Sequence, residues 1–214
     1  MKLEELEAKV KMLEDKVRTL DDVEEIKKLQ RIYGYYLDYQ MIDEIIDLFS
    51  DDTESAELGA GVYLGKEGVK RLFKGLNART AGVPGRLWQH IQLQGVVNVD
   101  PGGKTAKGRW RCLYCLATLI EGEKDKKLRA IWGHGHYENE YIKEGGKWKF
   151  KKFQFFLTFR TPYEDGWVKT PVVGWVPVEM LPEDRRPDRP PTGIRPYPSG
   201  DIVPFHYKHP ITGK

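Results

Sequence analysis

Four long segments after Leu87 alternate apolar and polar side chains, and only a few turn-forming residues separate one from the next. The segments are LWQHIQLQGVVNVD, TAKGRWRCLYCLATLI, KLRAIWGHGHYENEYIK and KWKFKKFQFFLTFR, and the connections are PGGK, EGEKDK and EGGK. Alternation with a period of two is typical of strands that bury one face. Connections this short place neighbouring strands antiparallel. The sequence therefore predicts a four-stranded antiparallel meander.

The chain before this meander has the spacing of helices. In residues 3–20, apolar residues recur every three or four positions and form a heptad seam: Leu3, Leu6, Val10, Leu13, Val17 and Leu20. Asp21 or Asp22 then predicts a new helix start, and that helix extends to about residues 38–40. Two short helices are predicted in IDEIIDLF and GKEGVKRLFKGLN, with an extended piece between them. Helices followed by a meander indicate an α+β fold, with the helices against one face of a sheet.

Composition divides the chain into three parts. Residues 1–20 contain the heptad seam, residues 21–160 the helices and strands of one domain, and residues 161–214 most of the prolines. Regular structure is not expected in this last part because proline interrupts helices and strands. Its aromatic residues argue against disorder and predict an extended arm that wraps its own domain or a neighbouring subunit: Trp167, Trp175, Phe205 and Tyr207. The arm histidines His206 and His209 are expected to have no particular role.

Composition and charge disfavour several classes of function. Hydrophobic residues make up 40% of the chain and charged residues 31%, with a formal net charge of +3, as in a soluble globular protein. The sequence has no basic stripe interleaved with aromatic residues, so it does not indicate a nucleic-acid partner. No segment has the length and apolarity of a membrane span or a secretory signal, so a cytoplasmic protein is expected. Cys112 and Cys115 are too few for a disulfide framework, and they are predicted to be buried, reduced thiols on opposite faces of a strand.

Three motifs resemble those of a known superfamily. They are DVEEIKKLQRIYGYYLDYQMIDEIIDLFSDD, AKGRW in a predicted strand, and GHGHYENEYIKEGGKWKFKKF, which contains Tyr-x-x-x-Tyr followed by Gly-x-Trp-x-Phe. Over about residues 21–160 the chain resembles the SnoaL-like branch of the nuclear-transport-factor-2-like (NTF2-like) superfamily. The resemblance implies a cone-shaped α+β barrel, with N-terminal helices packed on a curved, mostly antiparallel sheet. Because members include enzymes, binding modules and structural subunits, the fold alone implies no activity.

A narrower resemblance concerns the dehydratases of this branch, the bile-acid 7α-dehydratases and, more distantly, the scytalone dehydratases. In those enzymes a tyrosine and an aspartate of the first helix and a histidine of the first long strand surround the substrate, and no cofactor is used. The matching positions here are Tyr33 and Asp38 in IYGYYLDYQ and His90 in LWQHIQL. The resemblance implies that His90, oriented by Asp38, is a general base. It implies that Tyr33 stabilises a developing oxyanion or a departing hydroxyl. Tyr114 stands where the bile-acid enzymes have a further acid, which departs from their pattern.

The position of Asp38 has two interpretations from the residues alone. The helix macrodipole disfavours a carboxylate at a helix C-terminus, so Asp38 is either exposed to solvent or kept for a purpose. Spacing alone favours an exposed acid, whereas the resemblance favours a site residue. Tyr33 and Asp38 lie roughly 140° apart on a regular helix. Both therefore reach one pocket only if the helix ends or bends near Asp38, and Tyr33 is otherwise a core residue.

The predicted strands supply the rest of a cavity wall. The residues expected to contact a substrate are all aromatic: Trp88, Trp110, Tyr114, Tyr137 and Phe155. The resemblance points Tyr137 inward, which leaves His134 and His136 on the outer face of their strand. Two histidines without a clearly placed third ligand do not indicate a metal site, and none is predicted. A wall rich in aromatic residues and poor in charge suits a small aromatic, phenolic or otherwise apolar hydroxylated substrate.

The resemblance and the expected pocket together predict a cofactor-independent lyase. Dehydration is the first candidate reaction, and release of formaldehyde from a lignin-derived diaryl propane is the second. The alternatives are a polyketide cyclase or isomerase and a non-catalytic module that binds small molecules. Related dehydratases are trimers, so the resemblance implies a homo-oligomer, with a trimer favoured and a dimer also compatible. The heptad seam packs either on its own domain or against another subunit.

Overall fold

The structure is a computed structural model that describes residues 2–76, 82–119, 127–174 and 177–214. Within these ranges, six strands form one sheet: β1 Ser55–Leu58, β2 Gly61–Leu64, β3 Leu87–Val99, β4 Thr105–Leu119, β5 Leu128–Glu144 and β6 Lys147–Pro162. The strands lie in the order β2-β1-β6-β5-β4-β3. Neighbours from β3 to β6 pair antiparallel, which confirms the predicted meander. The predicted extended piece is the β1–β2 hairpin, and β1 pairs parallel to β6.

The helices that precede the meander pack against one face of the sheet. They are α1 Leu3–Asp38, α2 Ile42–Asp47 and α3 Gly65–Gly75. An aromatic cluster fills the space between helices and sheet, with ring centroids 5.1 to 6.2 Å apart: Tyr33, Phe49, Phe73, Phe150 and Phe153. This layering confirms the predicted α+β class. No helix in the described ranges combines the length and apolarity needed to cross a bilayer.

α1 is one continuous helix of 36 residues, so the predicted new helix start at Asp21 or Asp22 is wrong. The Asp22 side chain is buried instead, and its Oδ1 accepts hydrogen bonds from Lys143 Nζ at 2.6 Å and Trp148 Nε1 at 2.8 Å. These bonds tie the middle of α1 to the hairpin between β5 and β6. The partners lie 121 and 126 residues away in sequence, so local pattern could not separate this role from helix capping.

The turn between β3 and β4 is organised by one carboxylate. Asp100 accepts hydrogen bonds from the backbone N–H groups of Gly102, Lys104 and Thr105. The EGGK turn between β5 and β6 contains two glycines at φ of 57° and 80°, a backbone region that other residues rarely adopt. Both predicted turns are therefore confirmed, whereas the EGEKDK connection lies outside the described residues.

The C-terminal arm packs along its own domain with little regular structure. It contains the one-turn helix α4 Gly166–Lys169 and two 3₁₀ turns, Val178–Met180 and Glu183–Arg185. Trp167 packs against Trp132 on the outer face of β5, with ring centroids 5.2 Å apart. Trp175, which also supported the prediction of an ordered arm, lies outside the described residues.

The last part of the arm is fastened to the outer face of the sheet by side-chain contacts. Arg109 Nη1 donates to Glu138 Oε1 at 2.6 Å and to the carbonyl of Pro204 at 3.0 Å. His206 places Nδ1 2.8 Å from Glu138 Oε2 and Nε2 3.1 Å from Asn98 Oδ1. The His206 ring therefore links the arm to β3 and β5, a structural role that the sequence did not indicate.

Candidate active site

Asp38 and His90 are in direct contact. A single carboxylate oxygen, Asp38 Oδ1, accepts a hydrogen bond from the His90 backbone N–H at 2.7 Å and lies 2.9 Å from His90 Nδ1. The two side chains are only 11% and 12% exposed. The acid is therefore not a solvent-exposed helix end. Because a carboxylate only accepts hydrogen bonds, the neutral imidazole carries its proton on Nδ1 and leaves Nε2 with a free lone pair.

The local sequence explains why the carboxylate reaches the strand. α1 ends at Asp38, and Gln40 follows at φ 54°, which turns the chain away from the helix axis. The side chain of Asp38 is thereby free to point at β3. One turn earlier, Gly34 lies directly against β3: a Cβ built there would be 2.9 Å from Gln92 Cγ and 3.0 Å from the His90 carbonyl oxygen. The glycine therefore allows the close approach of helix and strand that brings Asp38 to His90.

Replacing Gly34 by Ala is expected to lower the free energy of unfolding by about 1–2 kcal/mol. The added methyl group must push α1 away from β3, and this overpacking outweighs the better helix propensity of alanine. Urea denaturation measures the loss. The matched control is Gly75→Ala at the end of α3, where the new Cβ would meet its nearest atom at 3.8 Å. Equal stability of the two variants would show that the helix–strand contact tolerates a side chain.

A row of four residues crosses the inner face of the sheet at the level of His90. The register pairs His90 with Tyr114, Tyr114 with Gly133, and Gly133 with Arg160. The rings of His90 and Tyr114 stack at a centroid distance of 5.5 Å and an angle of 29°. The absence of a side chain at Gly133 leaves room for the tyrosine, because a Cβ there would lie 2.3 Å from the Tyr114 hydroxyl. Tyr114 thus lies between the imidazole of His90 and the guanidinium of Arg160.

Arg160 is a site residue that sequence reasoning missed. Its Nη1 donates to the carbonyl of Val173, so the start of the arm holds the guanidinium at the edge of the row. Strict alternation from Phe155 and Leu157 would place Arg160 on the outer face. The register shift between His134 and Gly135 inserts one extra residue in β6 and moves Arg160 inward. No signal in the sequence marks this bulge.

The phenol of Tyr114 stays protonated at neutral pH. Burial raises the pKa of the Tyr114 hydroxyl well above its usual value, and the positive charge of Arg160 offsets part of that increase. A protonated phenol can donate a hydrogen bond or a proton to an oxygen that gains negative charge. Tyr114 therefore has the chemistry that the resemblance assigned to Tyr33.

Tyr33 lies in the aromatic cluster and is completely buried. Its hydroxyl makes no hydrogen bond of normal geometry among the described residues, although it lies close enough to the Tyr137 hydroxyl to interact with it. The ring of Tyr137 packs against it edge-on, with centroids 5.9 Å apart. Burial raises the pKa of the Tyr33 hydroxyl far above its usual value. Because a buried hydroxyl without a well-formed hydrogen bond is costly, this group is either a strained core residue or a donor for a bound molecule.

The other aromatic residues predicted to contact substrate fall into two groups. Trp88 lies beside the pair, with its ring 5.6 Å from that of His90 and its buried Nε1 unpartnered in the described part of the chain. Trp110 belongs to the core, where its Nε1 donates to Tyr141 at 2.9 Å. Tyr137 and Phe155 pack on each other with centroids 4.8 Å apart, and both are buried. The structure brings Trp88 and Tyr114 to the Asp38–His90 pair.

The two cysteines occupy opposite faces of β4. Cys112 is buried on the inner face, and both thiols are free. Cys115 is partly exposed on the other face, so the prediction of two buried thiols is wrong for Cys115. Burial raises the pKa of the Cys112 thiol to about 12, so it is not an activated nucleophile.

His134 and His136 form a pair on the outer face of β5. Their rings are 4.9 Å apart, and both Nδ1 atoms approach Thr158 Oγ1, at 3.1 and 3.4 Å. Across the described ranges, no group of three or more histidine, cysteine or acidic side chains is arranged to hold a metal ion. The pair is separated from His90 by the sheet.

The outer histidine pair is expected to make the protein less stable in acid. Burial lowers the pKa of His136 to about 4, and the nearby charges of His134 and Arg109 add to the effect. The unfolded state takes up a proton near pH 6.5, so the free energy of unfolding falls as pH decreases from about 6.5 to 4. Urea denaturation across this range checks the slope. A double variant, His134→Gln with His136→Gln, should flatten the slope, and an unchanged slope in that variant would contradict the prediction.

Comparisons with known proteins agree with this architecture. The family model described as "SnoaL-like domain" matches residues 18–154. No curated protein matches the sequence significantly. The match spans more than half of the chain. It covers the second half of α1, the shorter helices and most of the meander, and it includes both Asp38 and His90.

Several solved structures share the fold at low sequence identity. A protein provisionally named scytalone dehydratase, from Novosphingobium aromaticivorans, aligns with a TM-score of 0.56 and 22% identity over 69% of this chain and 91% of that one. LinA aligns with a TM-score of 0.57 and 21% identity, over 69% and 93% of the two chains. A type 2 hexachlorocyclohexane dehydrochlorinase, also called LinA, aligns with a TM-score of 0.52 and 22% identity, over 69% and 90%. At these identities the alignments establish a shared fold.

Proposed function

The chain belongs to the SnoaL-like domain family, and from this premise and the geometry of its site we propose that it is a lyase that uses its own side chains as acid and base. The observation that carries the proposal is the contact between Asp38 and His90. The structural neighbours include proteins named as a dehydratase and a dehydrochlorinase, and both names denote elimination reactions. Elimination of water is the first candidate reaction.

The proposed first step is removal of a proton from a C–H group of the substrate. Asp38 holds the Nδ1–H of His90, so the lone pair of Nε2 is available to take that proton. The imidazolium that forms is stabilised by the adjacent carboxylate. No described residue hydrogen-bonds to Nε2, so a bound substrate does not have to displace a protein group.

The proposed second step is loss of the leaving group. As the electrons of the C–H bond form a carbon–carbon double bond, the neighbouring C–O bond breaks and the departing hydroxyl takes a proton to leave as water. Tyr114 supports this step because its phenol is protonated and its ring stacks on His90. Tyr33 is the second candidate donor, since its buried hydroxyl has only a weak interaction with the Tyr137 hydroxyl in the described part of the chain. The proton that His90 took from the substrate then passes to the phenolate, which restores both the phenol and the neutral imidazole.

The composition of the wall supports an aromatic or phenolic substrate. Trp88 meets the imidazole edge-on and Tyr114 stacks on it, and these two apolar rings favour a flat apolar molecule. Arg160, at the far side of Tyr114, can neutralise an oxygen that carries negative charge, such as a phenolate. Such a substrate keeps open the second candidate reaction, release of formaldehyde from a lignin-derived diaryl propane.

The deciding experiment is a mass-spectrometric screen of the protein against phenolic and steroidal alcohols, with His90→Ala as the inactive control. A product lighter by one water supports dehydration, and a product lighter by one formaldehyde supports the second reaction. A product of unchanged mass would instead identify an isomerase or cyclase. Binding without turnover, insensitive to Asp38→Asn, would identify a non-catalytic binding module and overturn the proposal.

A further inference from the structure

The first half of α1 carries an apolar surface that the domain does not cover. All six residues of the heptad seam are between 44% and 71% exposed: Leu3, Leu6, Val10, Leu13, Val17 and Leu20. The buried residues of α1 begin only at Asp22. Eighteen residues of helix therefore extend about 27 Å before the helix reaches the core. Helical structure in this segment continues from the anchored half, but its apolar face is left in water.

Charged residues border the heptad seam with a different sign on each side. If Leu3, Val10 and Val17 are the a positions and Leu6, Leu13 and Leu20 the d positions, the g positions are basic: Lys2, Lys9 and Lys16. The e positions are acidic: Glu7, Glu14 and Asp21. None of these six side chains has an ion pair within the described ranges. The seam thus has one basic edge and one acidic edge.

This charge pattern selects both the partner and its direction. In a parallel pair of such helices, each g residue faces an e residue of the other helix one heptad later, so Lys2 meets Glu7, Lys9 meets Glu14 and Lys16 meets Asp21. In an antiparallel pair, like edges face each other, and lysines would meet lysines. The segment is therefore complementary to a second copy of itself in parallel orientation, and self-repulsive in the opposite one.

We propose that residues 3–20 pair with the same segment of a second copy of this chain in a parallel, two-stranded coiled coil. The core residues favour two strands, because two of the three a positions are β-branched valine and every d position is leucine. The coil is continuous with the helix that carries Asp38, so it holds two domains at a fixed spacing without contributing to the site. The inference is independent of the proposed lyase activity. It differs from the trimer that the family resemblance implies.

A disulfide test measures the register of the two helices. Val10→Cys places a thiol at an a position, where equivalent Cα atoms of a parallel pair come within the range that a disulfide spans, about 4.4–6.8 Å. Mild oxidation is expected to link most chains into covalent dimers. The matched control is Ala8→Cys, whose side chain lies on the opposite face of the helix and should remain unlinked. The wild type, with its own two thiols, provides the background. Absence of a Val10→Cys dimer, or equal linking in the control, overturns the proposal.

A charge-reversal test measures the pairing itself in solution. One variant carries Glu7→Lys, Glu14→Lys and Asp21→Lys, and a second carries Lys2→Glu, Lys9→Glu and Lys16→Glu. By light scattering, each variant alone is expected to show half the mass of the wild type, because like charges then face each other. An equimolar mixture should recover the wild-type mass. A monomeric or trimeric wild type, or a mixture that does not reassociate, overturns a two-stranded parallel coil. Circular dichroism confirms that each variant is folded.

Discussion

Replacing His90 by Ala is expected to lower turnover of the identified substrate at least about a hundredfold. The variant loses the imidazole that Asp38 orients and that we propose takes the substrate proton, and a positioned general base typically contributes 10²–10⁴-fold to the rate. The substrate's affinity should change less, since the aromatic neighbours Trp88 and Tyr114 remain. Steady-state kinetics with the substrate found by the screen separates kcat from KM.

The matched control for this variant is His136→Ala. His136 is also a strand histidine and partly buried, but it lies on the outer face of the sheet, so its removal should leave kcat within about twofold. Asp38→Asn should lower kcat in the same direction as His90→Ala, because an amide does not stabilise the imidazolium. Near-normal turnover by His90→Ala, with normal circular dichroism, would remove His90 from the mechanism.

Replacing Gln30 by Leu is expected to lower the free energy of unfolding by about 3 kcal/mol. Gln30 is completely buried, and its Oε1 accepts hydrogen bonds from Asn139 Nδ2 at 3.0 Å and Tyr141 Oη at 3.1 Å, while its Nε2 donates to Gln92 Oε1 at 2.9 Å. Leucine fills a similar space but satisfies none of these groups. Each buried polar group left without a partner costs about 1–3 kcal/mol.

Thermal unfolding should show this loss as a decrease in Tm of about 6–12 °C, since 1 kcal/mol corresponds to about 2–4 °C in a chain of this size. The control is Gln89→Leu on the exposed side of β3, which changes the same side chain without breaking a buried bond. The same network binds the indole of Trp110 through Tyr141. An unchanged Tm for Gln30→Leu would mean that the network relaxes around the leucine.

Much of the fold was determined by local pattern. The period-two segments from Leu87 onward predicted four strands, and the short turn sequences predicted their antiparallel order, because both depend on neighbouring residues only. The helical period predicted α2 and α3. The end of α1 near Asp38 was also predicted, whereas the break at Asp21 was not present. An aspartate followed by glutamates resembles a helix start. Asp22 instead accepts hydrogen bonds from Lys143 and Trp148, which are too distant in sequence for a local pattern to reveal.

The candidate site was likewise predicted only in part from the sequence. The sequence, with its family resemblance, identified Tyr33, Asp38 and His90 as candidates, but helix geometry alone could not say whether an acid and a phenol 140° apart share a pocket. The structure brings Asp38 to His90 through a helix end and a glycine contact, and it leaves Tyr33 in the aromatic cluster.

The sequence by itself determined the strands and the charged edges of the heptad seam, because each is encoded in residues close together along the chain. Asp38 and His90 lie 52 positions apart, and only the family resemblance made them a candidate pair before the structure showed their contact. Only the tertiary structure decided that Tyr114 stacks on His90 and that Arg160 faces inward. The first depends on strand register and on the missing side chain of Gly133, and the second on one extra residue in β6. A one-residue shift reverses which face a side chain occupies, and that shift is set by packing between strands rather than by local sequence.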